Sequence, residues 1–81
     1  MALKRLTELS CGEMARVCRL EGDADVCRRL RSIGISEDSK VRRAFESPFG
    51  DPVAYEVQGI LVAIRKEDGR RILVEEEKSW D

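Results

Sequence analysis

The chain has 81 residues, 15 of them lysine or arginine and 16 aspartate or glutamate, so its formal net charge is −1. That length builds one core and no second domain, and near-neutrality gives no global pull on nucleic acid. There is no histidine, which removes the commonest general base and every nucleophile arrangement that depends on imidazole.

The opening segment, Met1 to Glu8, lacks the apolar run of a secretory signal. Nowhere does the chain approach the roughly 18 uninterrupted apolar residues of a membrane span. A cytoplasmic location without direct membrane insertion is therefore expected. Leu3, Leu6 and Leu9 precede a break at Ser10-Cys11-Gly12. They predict a short helical turn or an extended lead-in. Glu13 to Leu20 alternates as a strand does, with Ala15 and Val17 on one face and Arg16 and Cys18 on the other.

Asp23 or Asp25 can accept backbone N–H bonds at a helix start. Val26, Leu30 and Ile33 then fall on one helical face at i, i+4 and i+7. Gly34 closes the segment, because glycine takes positive φ without a Cβ clash. The spacing predicts a helix over residues 24–33, carrying Arg28, Arg29 and Arg31 on its flanks and outer face.

The remainder predicts β structure. Ser39 to Glu46 reads as a strand with Val41, Arg43 and Phe45 on one side. Ser47 to Pro52 is a loop of turn formers. Val53, Tyr55 and Val57 alternate, as do Ile60, Val62 and Ile64, and Gln58-Gly59 between them is a hairpin signal. Lys66 to Gly69 predicts a turn, and Arg71 to Glu75 a last strand. Residues 75–81 form an acidic tail that is expected to fray. Five short strands and one helix in one domain spanning residues 1–81 suggest a small closed or nearly closed barrel.

Little in this pattern is catalytic. The chain has no G-x-x-x-x-G-K-[ST] run and no G-x-G-x-x-G, and no nucleophile–base pairing is legible. Cys11, Cys18 and Cys27 are spaced unlike any C-x-x-C metal motif, so free thiols and no cofactor are expected. Four aromatics, Phe45, Phe49, Tyr55 and Trp80, are too few for a base-stacking platform or a proline-rich peptide groove. Basic residues cluster at Arg28, Arg29 and Arg31, at Arg42 and Arg43, at Arg65 and Lys66, and at Arg70 and Arg71. They offer either a solvated face or a docking surface for an acidic partner.

The order of motifs is more specific than any one of them. Leu6-Thr7-Glu8-Leu9 with Gly12, Ala15-Arg16-Val17, Arg29-Leu30 with Ile33-Gly34-Ile35, Pro48-Phe49-Gly50-Asp51-Pro52, Val57-Gln58-Gly59 and Ala63-Ile64-Arg65 follow one another from Leu6 to Val74. In that arrangement the chain resembles the FeoA family, small cytosolic proteins of bacterial ferrous iron uptake. The resemblance implies a mainly β, SH3-like barrel of about five strands with one α-helix inserted after the first strand. It also implies a non-enzymatic accessory of FeoB, the membrane GTPase and ferrous iron transporter. The same fold occurs as the C-terminal domain of some iron-dependent repressors. An SH3-like peptide- or nucleic-acid-binding module, or a regulatory domain of that repressor kind, is the alternative. Where family members commonly carry glycine, near Asp38, this chain has Ser36-Glu37-Asp38-Ser39. The turn is still expected, since Asp tolerates positive φ.

Arg28, Arg29, Arg31, Phe49 and Asp51 are thus the candidate partner-binding residues; no nucleic-acid partner is expected, and a monomer is favoured over an oligomer that the sequence leaves open. Gly34, Pro48, Gly50, Pro52 and Gly59 are expected to set backbone geometry. Asp51 is expected to hold its loop by accepting backbone N–H bonds.

Overall fold

Alternating apolar residues dominate the chain, and strands are what they form. The computed structural model describes residues 3–77. Strand β1 (Leu3–Arg5) runs into a 3₁₀ turn (Leu6–Glu8), followed by β2 (Met14–Leu20) and helix α1 (Ala24–Ser32). Then come β3 (Lys40–Glu46), β4 (Val53–Val57), β5 (Ile60–Ile64), a short helix α2 (Lys66–Gly69) and β6 (Ile72–Glu77). The six strands form one sheet in the order β1-β6-β2-β3-β4-β5, with every neighbouring pair antiparallel.

The inward positions of β2 to β6 meet α1 and the 3₁₀ turn in a single core. Leu6, Leu9, Val17, Leu30, Ile35, Val41, Tyr55 and Ile72 are all fully buried there. Val26 and Val62 pack against its margin.

Helix α1 forms for local reasons. Asp23 is its N-cap, accepting the Val26 N–H at 2.9 Å, whereas Asp25 sits in the first turn and pairs with Arg28. Gly34 follows at φ +101°. Of the expected apolar stripe, Leu30 is buried and Val26 half-buried, but Ile33 is exposed. Ile33 is the C-cap, so the chain turns there and Ile35 enters the core in its place, its N–H donating to the Leu30 carbonyl. Replacing Asp23 by alanine is expected to cost about 1 kcal/mol in urea unfolding. Asp25→Ala, which removes only an exposed ion pair, is expected to cost less than about half of that.

Several expectations need correction. The lead-in is extended and then helical, as expected, but its extended part is a paired strand, β1, lying against β6 (Leu3 opposite Glu75, Arg5 opposite Leu73). Among the described residues the strands therefore number six, and the helix follows the second of them rather than the first. The sheet order begins at β1 and ends at β5, so these are edges of an open sheet rather than a closed seam. Residues 66–69 make a helical turn. Strand β6 runs through Glu77, pairing Glu75, Glu76 and Glu77 with Arg16, Ala15 and Met14. The first three residues of the expected tail are therefore in the sheet, while Trp80 and the rest of that tail lie outside the described residues.

Phe45 shares no face with Arg43. The β3–β4 register shifts between them, so Arg43 lies opposite Tyr55 while Phe45 lies opposite Ala54. Ala44 is the extra residue, and one extra residue reverses the side on which all later side chains emerge. Phe45 accordingly faces outward and is 55% exposed. The turn at residues 36–39 forms as expected, with Asp38 at φ 73°. It is held by the buried Ser39 hydroxyl, which accepts the Ser36 N–H at 3.1 Å and donates to the Gly34 carbonyl at 3.2 Å. Gln58 and Gly59, at φ 51° and 85°, make the hairpin turn between β4 and β5.

Candidate functional site

The candidate arginines of α1 are all engaged within the chain. Arg28 pairs with Asp25, Arg29 with Asp68 of α2, and Arg31 with Glu37. These pairs are solvent-exposed and hold the side chains weakly, at about 0–1 kcal/mol each. They nevertheless place a carboxylate beside every cation of the row. The adjacency of the three arginines in sequence gave little sign of this, because two of the acids, Glu37 and Asp68, lie outside the helix.

The loop after β3 presents Phe49, which is 97% exposed. Pro48 precedes it in the turn, and Gly50, at φ +85°, lets the chain reverse, its N–H donating to the Ser47 carbonyl at 2.8 Å. The Asp51-Pro52 peptide is cis. Asp51 does accept a backbone N–H, but from Lys66 at 3.0 Å, so it ties the loop to the start of α2 rather than closing it on itself.

That tie brings together groups that are distant in sequence. Arg43 faces inward beside Tyr55, with only 13% of its side chain exposed. One guanidinium nitrogen donates to the Leu9 carbonyl at 2.7 Å, and the other pairs with Glu46. Thr7, Arg43, Glu46, Tyr55, Lys66 and Arg70 surround a cavity of about 290 Å³. Among the described residues, neither the Lys66 ammonium nor the Arg70 guanidinium has an ion-pair or hydrogen-bond partner. Burial pushes the Tyr55 phenol above its usual range, so it stays a neutral donor, with a long 3.4 Å bond to the Leu6 carbonyl. An adjoining groove shares Thr7, Arg43 and Glu46 and continues over Leu9, Cys11 and Phe45. Among the described residues the arrangement gathers positive charge but no nucleophile–base pair. Sequence reasoning listed these basic residues only as neighbours in clusters. The signal for the site was Arg43 itself, a charge on the core-facing parity of its strand.

The three cysteines are free, with Cys11 and Cys18 exposed and Cys27 half-buried. Burial, then the nearby Glu75 and Asp38 charges, hold the Cys18 thiol above its ordinary value, which keeps it protonated at neutral pH. Among the described residues no group of three or more cysteines and acids is placed to hold a metal ion. No described helix is long and apolar enough to cross a membrane.

The surface carboxylates carry a pH signature. The Arg5 hydrogen bond holds Glu21 below its ordinary value of 4.5, and Glu37 is held below it by its own backbone N–H and then by Arg31. A carboxyl depressed in the folded state adds stability that is complete above its unfolded pKa and lost as pH falls through the folded one. The urea midpoint is therefore expected to hold steady from neutral pH to about 5 and to drop below about 4.5. Glu21→Gln is expected to shrink that drop.

Comparison with known proteins places this geometry among relatives. The family model of the FeoA domain matches residues 4–76. The Fe(2+) transport protein A/Fe(2+) transporter FeoB fusion protein of Porphyromonas gingivalis is 32% identical over 71 residues, which are 88% of this chain but 8% of that protein. The solved FeoA of Stenotrophomonas maltophilia complexed with zinc, a prokaryotic SH3 domain protein, is similar at TM-score 0.74 and 26% identity, covering 89% of each chain. A manganese-dependent transcriptional repressor in complex with manganese reaches TM-score 0.86 at 24% identity, over 95% of this chain and 38% of its own, a likeness of fold alone.

Proposed function

The chain belongs to the FeoA domain family, and from that premise we propose that it is a non-enzymatic accessory of ferrous iron uptake that binds the FeoB transporter. In this reading it works in the cytoplasm and modulates the activity or assembly of the FeoB GTPase domain. The observation that carries it is the fusion: a segment like this chain is joined to FeoB in a single polypeptide in Porphyromonas gingivalis. Joining two modules fixes them at a high effective concentration, an advantage only where they act on one another. The cavity supports the same reading, since its chemistry is that of recognition and it lacks a nucleophile–base pair.

The test is retention of the FeoB cytosolic domain on the immobilised chain. Wild type is expected to retain it. Phe49→Ala and a charge reversal of Arg28, Arg29 and Arg31 measure what those candidate residues contribute, with Asp51→Asn as the probe of the loop's attachment to α2. No retention by wild type at tens of micromolar, together with normal ferrous uptake in cells lacking the gene, overturns the proposal.

A further inference from the structure

We propose that the cavity between Arg43, Lys66 and Arg70 is a docking pocket for a carboxylate on an extended acidic segment of a protein partner, with an apolar neighbour of that carboxylate lying along Phe45. The proposal rests on the binding role given above and names the surface that performs it.

Charge is the first argument. Among the described residues three cations line the cavity against one carboxylate, Glu46, which Arg43 already engages. In contrast to the arginines of α1, each beside an acid, Lys66 and Arg70 are left without a partner among the described residues. Like charges gathered around a partly enclosed space repel more strongly than they do in open solvent. An incoming carboxylate relieves that repulsion and gains charge-assisted hydrogen bonds from both side chains. The Thr7 and Tyr55 side chains complete the same wall without adding a charge.

Shape is the second argument, and it separates a chain from a compact ion. The cavity does not end at Arg43, since Thr7, Arg43 and Glu46 also border the groove that runs on to Phe45. A free phosphate fills only the charged end and gains nothing from the rest. A peptide occupies both, with its acid among the cations and the next apolar side chain on the exposed ring. Phe45 stands on the outer face because of the bulge at Ala44, and its cross-strand row continues through Ala54 to Ala63, an uncharged strip beside the groove.

The experiment is selection of a random dodecapeptide phage library on the full chain, followed by fluorescence anisotropy of the enriched peptides. Expected are peptides with Asp or Glu beside an aromatic or aliphatic residue. Changing that acid to its amide, or pairing the peptide with the Lys66→Gln/Arg70→Gln variant, is expected to weaken binding at least about tenfold. Phe45→Ser is expected to weaken it by a smaller factor. Because the Lys66 and Arg70 side chains are exposed and have no partner among the described residues, the double variant is expected to keep its melting temperature. Overturning results are the absence of enrichment, enriched peptides without an acid, or unchanged binding to the double variant. Titration with inorganic phosphate that saturates the amide shifts of residues 66–70 below 1 mM would assign the cavity to a free anion and also overturn it. Undiminished retention of the FeoB cytosolic domain by the double variant removes this pocket and leaves the accessory role intact. Peptide binding without FeoB retention removes the accessory role and leaves the pocket to another acidic partner.

Discussion

Tyr55→Ala is expected to destabilise the domain by about 3–5 kcal/mol, the largest effect of any single truncation in this core. Tyr55 is 1% exposed and stands where β4, the 3₁₀ turn and β3 converge. Removing its ring leaves a void that a sheet strand paired on both sides cannot collapse to fill. For a chain of this length the whole stability is roughly 4–12 kcal/mol, so the variant loses a large fraction of it. Its melting temperature is expected to fall by more than about 12 °C. Tyr55→Phe keeps the ring and gives up only a long hydrogen bond, so it is expected to cost about 1 kcal/mol or less. Urea midpoints of the three proteins check the pair, and equal losses for both substitutions would show that the hydroxyl, not the ring, is what matters.

Gly22→Ala is expected to cost about 2–4 kcal/mol, a large figure for an exposed surface position. Gly22 sits between β2 and the Asp23 cap at φ +128°, and an added Cβ would lie 3.0 Å from the Val26 Cγ1 and 3.1 Å from its Cβ. Val26 cannot yield easily, because it packs against the core from the first turns of α1. The control is Gly59→Ala. That glycine also has positive φ, but nothing lies within 4 Å of its Cβ position, so only the conformational cost of about 1–2 kcal/mol remains. The difference between the two variants isolates the steric part. If their unfolding midpoints coincide, the contact with Val26 is not what fixes the β2–α1 junction.

What the sequence made legible was what neighbours along the chain decide. Asp23, the Val26–Leu30 spacing and Gly34 lie within one helix and its caps, and that helix is where it was expected. Gln58-Gly59 is a turn for equally local reasons. The bulge at Ala44 was illegible because its partners are remote. The Gly12 N–H donates to the Arg43 carbonyl, the Arg43 N–H to Glu13, and the Cys11 thiol to the Ala44 carbonyl. Strand β1 was hidden for the same reason, since three residues of weak pattern become a strand only when β6 lies beside them. The site suffered most. Which arginine is neutralised depends on acids such as Asp68, 39 positions from Arg29, and sequence adjacency made the paired row on α1 look more available than Lys66 and Arg70.

The position of β6 bears on how the protein is made. It is flanked on both sides, by β1 and by β2, yet it is the last of the six strands to leave the ribosome. Until it emerges, β1 has no neighbour and β2 is paired on one side only, so the nascent chain offers bare strand edges and a half-covered apolar face. Such edges invite pairing with other chains. The hairpins of β3, β4 and β5 can assemble earlier from nearby residues, but the domain closes in one late step, and any chaperone that guards it acts in the interval before that strand arrives.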